Sequence, residues 1–296
     1  MIDEREYWKR LEMFMPTVYD AFPDDVNILN QYRHRAYSVG SLYYQAYREI
    51  AGDLLKNGSL VDVGAYPGTF LRLLKEVFFR DVPIRFGGIG MILPEDEENY
   101  RHKALQCRDV EFLKTDKNFK NYFNSIGIEF CEVNFDYCFE PSLELPRSFQ
   151  ECFDVVTCLE VIEHLHTPHK LIRLISQLLK PQGVCIIETN NVANLIGILK
   201  LFLTRESNLD FELVERYSPG NYSTKHPHVR FYSMKEIEYL LRKTGFSVET
   251  SRAFNWSIPK QFFKTSNLSE ALRQVLLKLI PGKQSHILLK GRKISA

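Results

Sequence analysis

Glu160, Glu163 and His164 stand at positions i, i+3 and i+4 in the run Leu159-Glu160-Val161-Ile162-Glu163-His164-Leu165. On a helix such positions share one face, so the spacing predicts two carboxylates and an imidazole converging on one point. With one more donor the set suits a hard divalent ion, Mg²⁺ for example, that keeps positions open for substrate oxygens. His228, in His228-Val229-Arg230-Phe231-Tyr232-Ser233, is the candidate fourth ligand. Two other readings fit the same residues. His164 can serve without metal as a general base that takes a proton from an acceptor. Alternatively the glutamates cap the helix and the histidine packs, with no chemistry at all. His166 and His169 lie just past the pattern and read as surface residues.

A second candidate is the loop in Val61-Asp62-Val63-Gly64-Ala65-Tyr66-Pro67-Gly68-Thr69-Phe70. Gly64 permits a tight turn and Gly68 a close backbone approach, which suits an adenosine compound at the start of a helix. The dinucleotide pattern GxGxxG is absent, because Tyr66 and Thr69 occupy its second and third glycine positions. Two glycines at an ordinary strand–helix turn remain the plain alternative. A third signal is Asn134-Phe135-Asp136, just after an apolar run.

These residues need elements to hold them. Leu60 to Val63, Pro83 to Ile92, Ile128 to Val133, Phe153 to Thr157, Val184 to Glu188, Phe246 to Thr250 and His286 to Lys290 read as strands. Helices are predicted over Tyr37 to Asn57, Thr69 to Phe79, His169 to Leu179, Asn191 to Glu206 and Ser233 to Lys243. Strand and helix alternate with short turns, the pattern of a parallel sheet covered on both faces. The ligands of such a sheet bind at the carboxyl ends of its strands. The reading divides the chain into a helical cap at 1–40 and a main domain at 41–296. Within the main domain, 94–127 is an insertion and 191–232 an acceptor-side lid region.

The chain has 296 residues, 45 % hydrophobic and 25 % charged, which fits a folded α/β protein and excludes a mainly disordered one. Its net charge of +1 argues against a surface built wholly for long nucleic acid. The longest apolar stretch, Val192 to Leu203, is broken by Asn194 and Lys200 and is too short for a bilayer span of roughly 20 residues. The N-terminus shows no signal core, so the reading is cytoplasmic. Six scattered cysteines without a CxxC pair read as reduced structural thiols.

Phe153-Asp154-Val155-Val156-Thr157-Cys158-Leu159-Glu160-Val161-Ile162-Glu163-His164, taken with the glycine loop and Asp136, resembles the class I S-adenosylmethionine-dependent methyltransferases. The likeness is to the branch with Glu-Val-Ile-Glu-His after the fourth strand, and runs over about residues 40–293. That branch includes ubiquinone-pathway, polysaccharide-pathway and small-RNA 2′-O-methyltransferases. The resemblance implies a Rossmann-like, seven-stranded, mostly parallel sheet with an antiparallel edge. It implies S-adenosyl-L-methionine as cofactor, with Asp62 holding the loop and the methionine amino group. Gly64, Ala65, Tyr66 and Gly68 would line the methionine and ribose. Asp136 would take the adenine amino group with Tyr137 beside the ring, and the backbone near Leu159 and Glu160 would lie near the methionine. Glu160, Glu163, His164 and His228 match the metal-binding set of the RNA and ubiquinone-pathway groups. Two departures stand out: Tyr66 replaces a family glycine, and Gly90, followed by Met91, falls where an acid usually grips the ribose hydroxyls. Glu95 or Asp96 is the candidate substitute.

The implied reaction is O-methylation of a small-molecule or carbohydrate acceptor. An RNA ribose methyltransferase is the alternative, suggested by eight bases against Glu270 from Lys260 onward, a net of +7. A catalytically silent, cofactor-fold binding protein is a third reading, motivated by Gly90 and Tyr66. The apolar helix from Val192 reads as a substrate lid or a homodimer face, with a membrane-surface contact as the other option.

Overall fold

A computed structural model describes residues 2–19, 26–54, 58–65, 68–90, 123–133, 145–205, 228–255 and 282–295. Seven strands form one sheet: β1 (Ser59–Val63), β2 (Arg85–Gly90), β3 (Ile128–Glu132), β4 (Phe153–Leu159), β5 (Leu179–Asn190), β6 (Phe246–Phe254) and β7 (His286–Lys293). Their order is β3-β2-β1-β4-β5-β7-β6. The first five pair in parallel. β7 runs antiparallel between β5 and β6, which makes the expected antiparallel edge. The order reverses at β1 and β4, so a crevice is expected outside their carboxyl ends.

Alternation along the strands sorts the core into two layers. Leu60, Phe86, Val155, Val184, Ile186 and Leu288 face one side. There they meet α1 (Glu4–Tyr19), α2 (Val26–Leu54) and α3 (Thr69–Leu73), which continues as a π turn over Leu74–Phe78. Val61, Val63, Ile89, Val156, Cys158, Cys185, Ile187 and Leu289 face the other side. They pack on α4 (Pro168–Leu178) and α6 (Met234–Lys243), whose Leu171, Ile175, Ile237 and Leu241 are buried. Burial on both faces is why these strands read as near-continuous apolar runs. On the first face Tyr7 donates to the Gly40 carbonyl at 2.8 Å and stacks on Phe78 at 4.9 Å, fixing α1 to the main body. The buried thiols Cys158 and Cys185 are raised by burial, Cys185 to about 12, as inert core cysteines are.

Three elements differ from expectation. β5 begins at Leu179, because Leu179 pairs with Phe153 and a register shift absorbs Pro181 to Gly183 as an irregularity with Gln182 at φ 64°. The Glu160–His164 run is not one helix. β4 continues to Leu159, Glu160 takes φ 56°, and only Ile162–His164 forms a single 3₁₀ turn. The apolar helix α5 (Leu195–Thr204) is shorter than predicted, starting where the Asn194 side chain accepts from the Gly197 N–H at 2.6 Å. It buries none of its residues, and Phe202 and Leu203 are 82 % and 76 % exposed. Among the described residues, no helix is long and apolar enough to cross a membrane.

Candidate functional site

The loop after β1 forms because its backbone needs glycine. Gly64 has φ 84°, and a Cβ there would lie 2.2 Å from Val161 Cγ2. Its N–H and that of Ala65 donate to the Ile89 carbonyl at 2.7 and 3.0 Å, tying the loop to β2. Gly68, at φ 85°, opens α3, and a Cβ there would meet the Phe123 ring at 1.9 Å. Its lack of a side chain therefore serves close packing of the chain itself. Asp62 lies in β1, in register with Gly88 and Thr157. The Thr157 hydroxyl donates to Asp62 Oδ1 at 2.6 Å, and burial pushes the carboxyl up to about 7. Tyr66, Met91, Glu95, Asp96, Asp136 and Tyr137 lie outside the described residues.

Gly90 ends β2 and offers no side chain to a ribose. The register places Glu132 of β3 beside it, and partnered residues on neighbouring strands point to the same face. Glu132 is a carboxylate that motif spacing alone does not reveal, since only strand register brings it to Gly90.

At the ends of β4 and β5 the four metal candidates divide. Donor atoms of Glu163, His164 and His228 lie within 4.8 Å of one another. The two imidazole rings meet edge to face at 4.8 Å. Glu160 is not in this group, because its left-handed backbone turns the chain before the 3₁₀ turn begins. It joins Glu188 and His286 in a second group of the same compactness. Asn190 bridges the two, its amide 3.3 Å from Glu163 Oε1 and 3.4 Å from Glu160 Oε2.

Glu163 and His228 each have a structural support. Glu163 is fully buried, and Thr189 donates to its Oε2 at 2.8 Å. Burial and then repulsion by Glu160 push its carboxyl up to about 8. The Glu163 carbonyl accepts from the Val229 and Arg230 N–H groups at 2.9 and 3.2 Å, which holds His228 over the 3₁₀ turn. The same arm bridges Tyr232 to Asn191 and ends in the capping box of α6, with Ser233 and Glu236 as its partners. Burial lowers the His228 imidazole, opposed by Glu160. His166 and His169 are exposed, in keeping with their reading as surface residues.

Glu188, Thr189, Asn190 and His286 are the functional candidates that spacing missed. Their signal was an acid and two polar residues closing the apolar run Val184-Cys185-Ile186-Ile187, where a buried strand has little use for them. Of the eight C-terminal bases, Lys290 pairs with Asp53 at 2.8 Å, Lys293 with Glu151 at 2.9 Å, and Arg292 with Glu249. Those three belong to internal ion pairs rather than to an open basic surface. The stretch 256–281, which holds four of the eight bases, lies outside the described residues.

The chain matches the methyltransferase domain family over residues 29–251. It is 30 % identical over 115 residues to a ubiquinone biosynthesis O-methyltransferase of Rickettsia canadensis, covering 39 % of this chain and 44 % of that protein. A protein of the same name from Neisseria meningitidis is 27 % identical over 120 residues, covering 40 % of this chain and 46 % of its own. These matches thus span less than half the length of either relative. A solved structure of an S-adenosylmethionine-dependent methyltransferase from Methanosarcina mazei aligns with a TM-score of 0.47 at 14 % identity, covering 84 % of this chain and 99 % of that one.

Proposed function

Because the chain belongs to the methyltransferase domain family, we propose that it transfers a methyl group from S-adenosylmethionine to a hydroxyl of a small-molecule or carbohydrate acceptor. The observation that carries the reading is the convergence of Glu163, His164 and His228 within 4.8 Å at the end of β4. They stand one short turn from Val161, whose side chain packs where a Cβ of Gly64 would fall. In this reading the glycine loop and this cluster face one crevice. The relatives named for O-methylation favour oxygen as the acceptor atom.

S-adenosylmethionine supplies an electrophilic methyl group on a sulfonium. In this reading Asp62 meets the methionine ammonium, and its burial makes that meeting favourable, since the incoming charge compensates a costly carboxylate. Gly64 and Ala65 leave room for the methionine chain. Glu132 takes the ribose hydroxyls in place of an acid at Gly90. His164 lies where it can accept the acceptor's hydroxyl proton, and the enzyme otherwise contributes alignment.

The first cluster also fits a divalent cation. One carboxylate and two imidazoles suit a first-row ion such as Mn²⁺ better than the Mg²⁺ expected when Glu160 was counted with them. Thr189 and Asn190 then orient the Glu163 carboxylate from behind, as outer partners of ligands do. Such an ion supplies a Lewis acid for the acceptor oxygen.

Calorimetric titration with S-adenosylhomocysteine, with Mn²⁺ and with EDTA, tests the reading. Micromolar affinity is expected for the wild type, and Glu132→Gln is expected to weaken it roughly tenfold through one lost pair of charge-assisted hydrogen bonds. No binding in either condition overturns the cofactor assignment and leaves the silent-protein reading in its place.

A further inference from the structure

We propose that Glu160, Glu188 and His286 form a separate divalent-cation site, inward of the first and joined to it by Asn190. Their donor atoms lie within 4.8 Å of one another. Two donors on one first-row ion, with bonds of about 2.0–2.2 Å, are at most about 4.4 Å apart. The set is therefore within about half an ångström of closing on an ion.

Without an ion the cluster is short of hydrogen-bond donors among the described residues. Glu188 is 0 % exposed, and among the described residues its Oε2 and the buried Oε1 of Glu160 have no N–H or hydroxyl donor, so the two carboxyls can satisfy each other only by sharing a proton. Buried carboxylate oxygens are rarely left so, because each loses its hydration without return. A single nitrogen, His286 Nδ1, faces both acids, 2.9 Å from Glu188 Oε1 and 3.3 Å from Glu160 Oε1. One N–H can serve only one of these oxygens fully. The charged side chains further along β7 are engaged elsewhere, Lys290 by Asp53 and Arg292 by Glu249.

The backbone points the same way. Glu160 holds φ 56°, a left-handed conformation that a residue with a side chain adopts only against strain. Its N–H donates to the Glu188 carbonyl at 3.2 Å, so the strained residue is fastened to the strand that carries its partner acid. The strain turns the Glu160 carboxylate away from the outer cluster and into the inner one. On the far side, the Phe254 ring packs on His286 at 5.7 Å and restrains the imidazole. Two carboxylates and one imidazole select a compact divalent ion with mixed oxygen and nitrogen preference, which makes Mn²⁺ a suitable probe.

The site stands whether or not the outer cluster binds metal. The test is the number of Mn²⁺ ions bound by the full chain, counted by electron paramagnetic resonance of free Mn²⁺. Wild type, Glu188→Gln, His286→Gln and His228→Ala are compared, with melting curves confirming that each variant folds. The expected count is two for wild type and one for each variant. Glu188→Gln keeps the volume and shape of the buried acid, so it reports on binding where His286→Gln fails to fold. A wild-type count of one that Glu188→Gln abolishes supports the inner site and overturns the outer one. A count of one that only His228→Ala abolishes overturns the inner site, and so does any count that both inner variants leave unchanged. A count of zero overturns both.

Discussion

The two clusters share the same pair of strand ends and differ in access. Glu163, His164 and His228 combine one buried acid with two half-buried imidazoles, and the arm that brings His228 is pinned by backbone bonds to Glu163 and a strand bridge. Glu188 and His286 are buried between β5, β7 and Phe254, with Glu160 half-buried at their edge. An open group of this kind suits exchange of substrate on every turnover. A closed one suits an occupant that stays. The separation comes from one residue: the left-handed turn at Glu160 sends acids three positions apart into different groups.

The largest expected effect tests the open cluster. His164→Ala is expected to lower the rate of methyl transfer by roughly 10²–10⁴-fold, the usual worth of a positioned acid–base group, while S-adenosylhomocysteine still binds. An equal fall for Glu188→Gln in the same assay breaks the contrast, because a closed cluster should not meet the reacting atoms.

Asp62 supplies a buried acid of known direction outside both clusters. Burial raises its carboxyl from 3.8 to about 7 despite the Thr157 hydrogen bond. Its neutral form therefore favours folding below about pH 4, and that advantage disappears as pH rises through about 7. Asp62→Asn removes the penalty, so the cofactor-free protein should gain roughly 2–4 kcal/mol at pH 8 and almost nothing at pH 4. Cofactor affinity should fall in the same variant. Thermal melts at the two pH values, with and without S-adenosylhomocysteine, check both signs. A variant that melts lower at pH 8 and binds as well as wild type refutes the role given to Asp62.

Asn190→Ala cuts the link between the clusters. It withdraws the one amide shared by Glu160 and Glu163, and outer partners of this kind are worth roughly tenfold in metal affinity. Weakened Mn²⁺ binding at both sites is expected. A change at one site alone shows that the two behave independently.

Much of this was legible in the sequence, for physical reasons that differ by element. The strands declared themselves because burial on both faces demands continuous apolar runs, as in Phe153 to Leu159. Ser233 and Gly245 marked the ends of α6 because capping chemistry is local. The outer cluster was found from spacing even though its presumed helix is one 3₁₀ turn, since Glu163 and His164 are adjacent and needed only His228. The inner cluster was hidden. Glu188 and His286 meet through antiparallel pairing of β5 with β7 across 98 positions, which no local spacing encodes. Glu132 was hidden likewise, because its place beside Gly90 is a matter of strand register.

The smallest expected effect separates stability from positioning. Ser233 accepts from the Glu236 N–H, and the Glu236 side chain returns to the Ser233 N–H at 2.8 Å. Ser233→Ala removes the first half of this box at a cost of about 1 kcal/mol, read as a lower melting temperature. His228 should hardly notice. Its arm is held upstream by two N–H groups on the Glu163 carbonyl and by the bridge at Tyr232, none of which uses the serine hydroxyl. Methyl transfer below the melting transition is therefore expected within about twofold of wild type, the range of a surface change that leaves the site intact. A loss of activity as large as that of His164→Ala would mean that α6, and not β4, sets the position of His228. The open cluster would then be assembled by a mobile arm, and its difference from the closed one would be one of rigidity as much as of access.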